Sequence, residues 1–181
     1  MNEKTNIALI GFRASGKSLV GKLLAEDLGL SFVDMDVRLV ASFGVDIDQW
    51  VHSQGWESFR HEESELLAQL AREQGLVVAT GGGVVLSAPN RNLLRSCFLV
   101  VWLKASPEMT YVRVLGDPGS GRNRPAFTTL PLREEIRQIL AERSDLYQET
   151  AHLVLETDDV YPEHLVSKIR RQLATGQEER D

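Results

Sequence analysis

The chain has 181 residues, 43% of them hydrophobic, which suits one globular domain with a core of ordinary size. Its formal net charge of −6 does not favour nucleic acid as a partner, and no apolar run approaches the roughly 18 residues of a membrane span. The single cysteine, Cys97, opens an apolar run, where we expect a small buried side chain without chemistry. Such sparing use of cysteine is typical of the reducing cytoplasm, where we expect the protein to act.

Five apolar runs rich in β-branched residues alternate with stretches of helical spacing. The runs predict strands at residues 7–10, 30–33, 76–80, 98–103 and 152–156. Helices are predicted over about residues 16–27, 57–74, 89–95, 107–115, 132–149 and 162–174. Because the strands are apolar on both faces and alternate with helices, the pattern indicates an α/β fold with a parallel, five-stranded sheet covered on both sides.

Two segments depart from this alternation. Residues 35–60 carry short amphipathic pieces around Trp50 and Trp56, which predict a small helical insertion beside the sheet. Residues 116–131 contain three glycines, three prolines and two arginines, which predict a surface loop or lid. The chain is therefore interpreted as one domain over residues 1–181, with a core (about 1–34, 76–115 and 132–174), a substrate-binding region (about 35–75) and a mobile lid (about 116–131).

The stretch GFRASGKS, residues 11–18, lies between the first predicted strand and the first predicted helix. It matches the phosphate-binding loop G-x4-G-K-S in full. Its glycines allow backbone N–H groups to turn toward a β-phosphate, Lys17 adds a positive charge, and the Ser18 hydroxyl can ligate Mg²⁺. The loop predicts a nucleoside triphosphate as phosphate donor, with a ligand-free glycine-rich turn as the alternative. The expected nucleotide-binding residues here are Gly11, Ala14, Ser15, Gly16, Lys17, Ser18 and Leu19.

Asp34 and Asp36 follow the second predicted strand. In extended backbone two residues at this spacing project the same way, here toward the phosphate loop. One carboxylate can hold Mg²⁺ through its water shell, while the other accepts a hydrogen bond from an attacking hydroxyl. A solvated strand end or a helix cap is the alternative interpretation.

Further side chains are candidates for binding the phosphate acceptor. Arg60 and Glu63 lie three apart on a predicted helix, so a glutamate-held arginine can clamp a carboxylate; an exposed ion pair is the alternative. The run Gly81–Gly83 allows a small polyhydroxylated ligand to approach the backbone, although a tight turn also explains glycines. Arg124 in the predicted lid can neutralise charge in the transition state, and Arg143 can bind an acceptor carboxylate, while either alone can be a surface arginine.

Over about residues 7–170 the chain resembles the shikimate kinase family, and especially its second enteric type. The resemblance is carried by six motifs in the same order: GxxxxGKS, DxD, FRxxE, GGG, RP and ERxxLY. The resemblance implies a three-layer P-loop NTPase fold. It also implies transfer of the ATP γ-phosphate to the 3-hydroxyl of shikimate, with Mg²⁺, by a monomer in the cytoplasm that makes aromatic amino acid precursors.

The resemblance also implies roles for individual residues. Asp36 would bind the shikimate hydroxyls, and Arg60 and Arg143 would bind its carboxylate. Gly81, Gly82 and Gly83 would pack against the ring of the acceptor, and Asp34 and Ser18 would lie near Mg²⁺. Arg113 would lie against the adenine, and Lys17 and Arg124 would lie near the transferred phosphate.

Two departures from the family pattern concern the substrate-binding region and the lid. Gly55-Trp56 stands where many members have Gly-Glu, and the lid reads RPAF rather than RPLL or RPTL. Three other functions stay open: a gluconate-type or nucleoside monophosphate kinase, a regulatory GTP-binding switch, and an inactive ATP-binding subunit. The switch lacks support because no NKxD-like guanine signature is present.

Overall fold

The structure is a computed structural model that describes residues 6–116 and 130–178. Within them, five strands form one sheet in the order β2-β3-β1-β4-β5, and every pairing is parallel. The strands are β1 Ile7–Ile10, β2 Ser31–Asp34, β3 Leu76–Ala79, β4 Leu99–Lys104 and β5 Leu153–Glu156. This confirms the predicted α/β architecture.

The described helices cover both faces of the sheet. They are α1 Lys17–Leu28, α2 Met35–Phe43, α3 Ile47–Leu70, α4 Ala88–Cys97, α5 Pro107–Gly116, α6 Leu132–Thr150 and α7 Pro162–Glu178, with a 3₁₀ turn at Val84–Leu86. None of them is long and apolar enough to cross a bilayer. The helical segment predicted after β2 consists of α2 and α3, and α3 is interrupted at Gly55, where φ is 84°.

Helix α3 ends at Leu70, four residues earlier than predicted. Asn6, from the start of the sheet, donates through Nδ2 to the Glu73 carbonyl at 2.7 Å and accepts from the Leu76 N–H at 3.0 Å. These bonds hold the residues after Leu70 in a turn, with Gly75 at a φ of 76°. Because Asn6 lies far away along the chain, the helical pattern around residue 70 could not reveal this stop.

The side chains on the two faces of β1 pack into two separate hydrophobic cores. Ala8 and Ile10 face one side, and Ile7 and Leu9 face the other; all four are at most 1% exposed. The first core also contains Val78, Val100, Trp102, Leu67, Leu94 and Tyr147. The second also contains Val77, Val101, Leu103, Val20, Leu24, Leu165 and Ile169. Because β1 is buried on both faces, its sequence IALI is apolar throughout. The buried strand also supports the loop that follows it.

The prediction for Cys97 is wrong, because its side chain is exposed. Cys97 is the last residue of α4, and β4 begins at Leu99. The apolar run that starts at Cys97 therefore enters the core only at Phe98, which is 4% exposed.

We expect His152, just before β5, to make folding stability depend on pH. Its Nδ1 accepts a hydrogen bond from the Val100 N–H at 3.0 Å, which only the neutral ring can do. Burial lowers the pKa of His152, and the positive charge of Arg95 lowers it further. The unfolded chain then binds a proton more readily than the folded one, so stability is lost as the pH falls below about 6.5, the ordinary histidine value.

The measurement is the free energy of unfolding between pH 7.5 and 5 for the unchanged chain and for His152→Asn. The Asn side-chain oxygen can accept the same bond but does not titrate, so the variant should lose less stability on acidification. His52→Asn, at an exposed position of α3, serves as the control and should follow the unchanged chain. Parallel curves for all three proteins would contradict the assignment.

Candidate active site

The loop between β1 and α1 folds around a lysine side chain. The Lys17 ammonium donates to the carbonyls of Gly11 at 2.8 Å and Phe12 at 2.7 Å. Gly11 has a φ of 141°, and a Cβ there would lie 2.5 Å from the Leu103 carbonyl oxygen, so only glycine fits. Gly16 precedes α1 with a φ of 94°, and among the described residues no side chain caps that helix. A helix start without a side-chain cap leaves room for an anion at its first-turn amides.

The remaining predicted nucleotide-binding residues surround this loop. Ala14 adopts a φ of 59°, which is uncommon for a residue with a Cβ, and Ser15 is buried. Leu19 is 55% exposed in the first turn of α1. Arg113, on α5, donates to the Ala14 carbonyl at 3.4 Å and to the Thr157 carbonyl at 2.7 Å. Arg113 thus joins the phosphate loop to the end of β5.

The structure corrects the extended geometry predicted for the two aspartates. β2 ends at Asp34, and Asp36 lies in the first turn of α2. Asp34 Oδ1 caps that helix by accepting from the N–H groups of Asp36 at 3.1 Å and Val37 at 3.4 Å. Its other oxygen accepts from the Ser18 hydroxyl at 2.5 Å. The helix-cap alternative therefore holds for Asp34, and the same carboxylate also reaches the phosphate loop.

A pocket opens between the phosphate loop, the α2–α3 region and the glycines after β3. Its lining contains the predicted acceptor-binding residues Asp36, Arg60, Gly81, Gly82, Gly83 and Arg143, together with Glu63. It also contains Phe12, Arg13, Ile47, Trp56 and Phe59. The fold therefore brings together residues from five separate parts of the sequence.

Arg60 and Glu63 form a partly buried ion pair in this pocket. Arg60 Nη1 lies 2.5 Å from Glu63 Oε2, and the Glu63 side chain is 1% exposed. The Arg60 guanidinium also lies 5.2 Å from the ring centroid of Trp56 and 5.1 Å from that of Phe59. Burial raises the pKa of the Glu63 carboxyl, and Arg60 opposes that rise. The exposed-ion-pair interpretation is therefore wrong.

The glycine run makes room for these same side chains. A Cβ on Gly81 would overlap Glu63 Oε1 and lie 3.3 Å from Asp36 Oδ1. A Cβ on Gly83 would overlap the guanidinium of Arg60. The sequence interpretation attributed the glycines to the approach of a ligand, whereas the described contacts are with the protein's own charged groups.

The carbonyl of Gly82 anchors the helix that follows the predicted lid. It accepts from Arg143 Nη1 at 3.0 Å and from the Tyr147 hydroxyl at 2.5 Å. Tyr147 is fully buried and stacks on Trp102, with ring centroids 5.4 Å apart. Burial raises the pKa of Tyr147 to about 12, so its hydroxyl stays protonated and remains a donor. Arg143 is thus a buried residue of the pocket, not a surface arginine.

The sequence interpretation missed Arg13, and one of its predictions cannot be compared with the structure. Arg13 lies in the pocket wall and pairs with Glu135 of α6, 122 residues away, so no local pattern signals the contact. Arg124 and residues 117–129 of the predicted lid lie outside the described residues.

Comparison with known proteins decides the family. The family model for shikimate kinase matches residues 13–174, which is most of the chain. The chain belongs to the shikimate kinase family. A shikimate kinase of Thioalkalivibrio sulfidiphilus is 41% identical over 171 residues, covering 94% of this chain and 88% of the relative. Shikimate kinase 2 of Sodalis glossinidius is 40% identical over 168 residues, covering 93% of this chain and 95% of the relative.

Solved structures agree with this assignment. The shikimate kinase of Acinetobacter baumannii, solved in complex with shikimate, has a TM-score of 0.89 at 33% identity and covers 96% of this chain and 94% of its own. A gluconokinase from Sinorhizobium meliloti reaches a TM-score of 0.58 at 18% identity, covering 99% of this chain and 97% of its own, which shows a shared fold only. The pocket described above therefore belongs to a chain of the shikimate kinase family rather than to a gluconate-type kinase.

Proposed function

We propose that this chain transfers the γ-phosphoryl group of ATP to the 3-hydroxyl of shikimate, giving shikimate 3-phosphate and ADP. The observation that carries the proposal is the convergence of Asp36, Arg60 and Arg143 in one pocket beside the phosphate loop. In the reaction the hydroxyl oxygen forms a bond to the γ-phosphorus, the bond to the β,γ-bridging oxygen breaks, and the hydroxyl proton is released. A carboxylate and two arginines suit an acceptor that carries both hydroxyls and a carboxylate.

The donor half of the site is built on α1 and the loop before it. We assign Lys17 to the β- and γ-phosphates, with the amides that follow Gly16 facing the same anion. Ser18 and Asp34 meet through a hydroxyl and a carboxylate oxygen, the ligand types that Mg²⁺ prefers, so they fit the metal. When bound, Mg²⁺ supplies positive charge to the phosphate oxygens. Arg113, beside Ala14, is assigned to the adenine.

The acceptor half lies across the phosphate loop. Asp36 is assigned to accept a hydrogen bond from the attacking hydroxyl, and Arg60 and Arg143 are assigned to the carboxylate. The short backbone between Gly81 and Gly83 would lie against the ring. Because Glu63 already orients Arg60, its guanidinium is held before the acceptor arrives, which lowers the entropy lost on binding.

The proposal extends to the oligomeric state, location and partners of the chain, to its domain organisation and to the predicted lid. We propose that the chain acts as a monomer in the cytoplasm and that it has no nucleic acid or membrane partner. The substrate-binding region of about residues 35–75 and a lid over about residues 116–131 would belong to one domain. Arg124 of that lid is assigned to the transferred phosphate.

The proposed activity is tested by coupled measurement of ADP release with ATP and Mg²⁺. Shikimate, gluconate and nucleoside monophosphates are added one at a time, and only shikimate is expected to stimulate release. A nucleoside monophosphate would need phosphate-binding arginines in place of the carboxylate clamp. No stimulation by shikimate would contradict the proposal, and stimulation by another acceptor would identify the alternative.

Removing the Tyr147 hydroxyl is expected to weaken acceptor binding. In Tyr147→Phe the Gly82 carbonyl keeps Arg143 as a donor, so Arg143 is held more firmly away from an acceptor carboxylate. One hydrogen bond is worth about 1 kcal/mol. If the free energy of acceptor binding weakens by that amount, the KM for shikimate rises about fivefold. The KM for ATP should stay unchanged.

Steady-state kinetics with each substrate varied in turn checks this expectation. Tyr111→Phe is the matched control, because Tyr111 is a partly buried tyrosine on α5 that is not among the residues lining the pocket. Equal shikimate KM values in both variants would show that the Tyr147 hydroxyl has no part in acceptor binding.

A further inference from the structure

Arg13 and Glu135 form a buried ion pair between the phosphate loop and α6. Arg13 Nη2 lies 2.9 Å from Glu135 Oε1, and the two side chains are 6% and 3% exposed. Placing two charges in a dry environment is unfavourable unless each holds the other in good geometry. The pair therefore constrains the relative position of the two elements that carry it.

One stripe of buried side chains runs along helix α6. Glu135, Ile139, Arg143 and Tyr147 follow each other at intervals of four residues, and all are buried. Glu135 contacts Arg13, while Arg143 and Tyr147 donate to the Gly82 carbonyl. The first turn of α6 is thus attached to the phosphate loop, and its later turns are attached to the glycine run.

Apolar contacts also hold α6 against the phosphate loop. Phe12 of the phosphate loop packs in a cluster with Ile136 and Ile139 of α6. The guanidinium of Arg143 lies 6.0 Å from the centroid of the Phe12 ring. Since a helix is stiff, a shift of its first turn would move Arg143 relative to Lys17, whose ammonium donates to the Phe12 carbonyl.

The charges around Arg13 show why its partner matters. Arg13 lines the acceptor pocket together with Arg60 and Arg143. Burial lowers the pKa of Arg13, the carboxylate of Glu135 opposes this, and the like charge of Arg143 lowers it again. Without Glu135, the Arg13 guanidinium would lose its carboxylate partner on α6, so its charge would repel Arg143 and attract an anionic acceptor more strongly.

We infer that Glu135 is a positioning residue: through Arg13 it holds α6, and with it Arg143, in register with the phosphate loop that carries Lys17. The inference rests on the proposed function, because it assigns how the donor and acceptor halves of that reaction are aligned. Glu135 is not among the residues that line the pocket, so its effect on the substrates would pass through Arg13.

The test compares Glu135→Gln with the unchanged chain in the coupled assay with shikimate. The amide keeps the size of the carboxylate and removes its charge. We expect kcat to fall about ten- to hundredfold, the range typical of a small misplacement of reacting groups. The KM for shikimate should stay equal or fall, because the Glu135 carboxylate no longer offsets the charge of Arg13, which then attracts the acceptor carboxylate more strongly.

Two further variants distinguish a role of Glu135 in positioning Arg143 from a role in folding stability alone. In Arg13→Gln, the Glu135 carboxylate loses the guanidinium that lies 2.9 Å from it, which should raise the shikimate KM and lower kcat. The double variant, Arg13→Gln with Glu135→Gln, allows the two amides to bond to each other and should recover kcat above that of Glu135→Gln alone. Glu134→Gln, an exposed neighbour in the same turn, is the matched control and should behave as the unchanged chain.

The outcomes are distinct. If Glu135→Gln lowers only the melting temperature and leaves kcat and both KM values unchanged, the inference is overturned. Should that variant not fold, Glu135→Asp keeps the charge but shortens the reach, and an unchanged kcat in it would equally overturn the inference. Failure of the proposed function would instead appear as no shikimate-dependent ADP release by the unchanged chain itself.

Discussion

Replacing Asp36 by Asn is expected to lower kcat about 10²- to 10⁴-fold, the range typical of a lost general base. Asn has the size of Asp, but its neutral amide cannot take a proton from the acceptor hydroxyl. Asp36 lies on α2 facing Gly81, on the acceptor side of the pocket, so nucleotide binding should change little. Steady-state ADP release gives kcat, and calorimetric titration with ADP gives the nucleotide affinity.

Asp145→Asn provides the control for that experiment. Asp145 is an exposed carboxylate on α6, two residues from Arg143 but outside the pocket lining, so its loss should leave kcat unchanged. A kcat for Asp36→Asn equal to that of the control would remove Asp36 from the mechanism. A parallel loss of ADP affinity would show that Asp36 serves the donor half of the site instead.

Replacing Lys17 by Met is expected to damage nucleotide use with every acceptor. Lys17 supplies a full positive charge assigned to the β- and γ-phosphates, and removal of one such positioned donor typically lowers kcat about 10²- to 10³-fold. Its ammonium also donates to two carbonyls of its own loop, at 2.8 and 2.7 Å, so the loop should lose order as well. Both effects raise the KM for ATP and lower kcat.

Lys22→Met, at an exposed position later on α1, is the matched control for charge removal on the same helix. The measurements are ATP-dependent kcat and KM, together with shikimate binding in the absence of nucleotide. Shikimate binding should survive in Lys17→Met, because the acceptor pocket is lined by other side chains. Near-normal ATP turnover in Lys17→Met would contradict the assignment of the donor half.

Much of the donor half can be predicted from the sequence because its parts are contiguous. A strand, a glycine-rich loop and a helix follow one another within residues 7–28, so backbone geometry alone brings Lys17 and Ser18 to the helix start. The alternation of apolar strands and helices likewise predicts the parallel sheet. The family resemblance, carried by motifs spread over most of the chain, is confirmed by the comparisons.

Local geometry at the edges of the elements was harder to predict. Asp34 and Asp36 were expected to lie side by side in extended backbone, but the chain turns into α2 at Asp34, whose carboxylate caps that helix. Cys97 was expected inside the core, but α4 runs through it before the strand begins. In both cases the element boundary depends on bonds that a short window of sequence does not contain.

The sequence by itself determined the class of fold, the phosphate loop and most of the residues that line the pocket. Only the tertiary structure decided how those residues support one another: why Gly81 and Gly83 have no side chains, which carbonyl holds Arg143, and that Arg13 pairs with Glu135 across 122 residues. The reason is physical. Strand and helix patterns come from neighbours along the chain, whereas buried charges and carbonyls find their partners only where packing brings distant elements together.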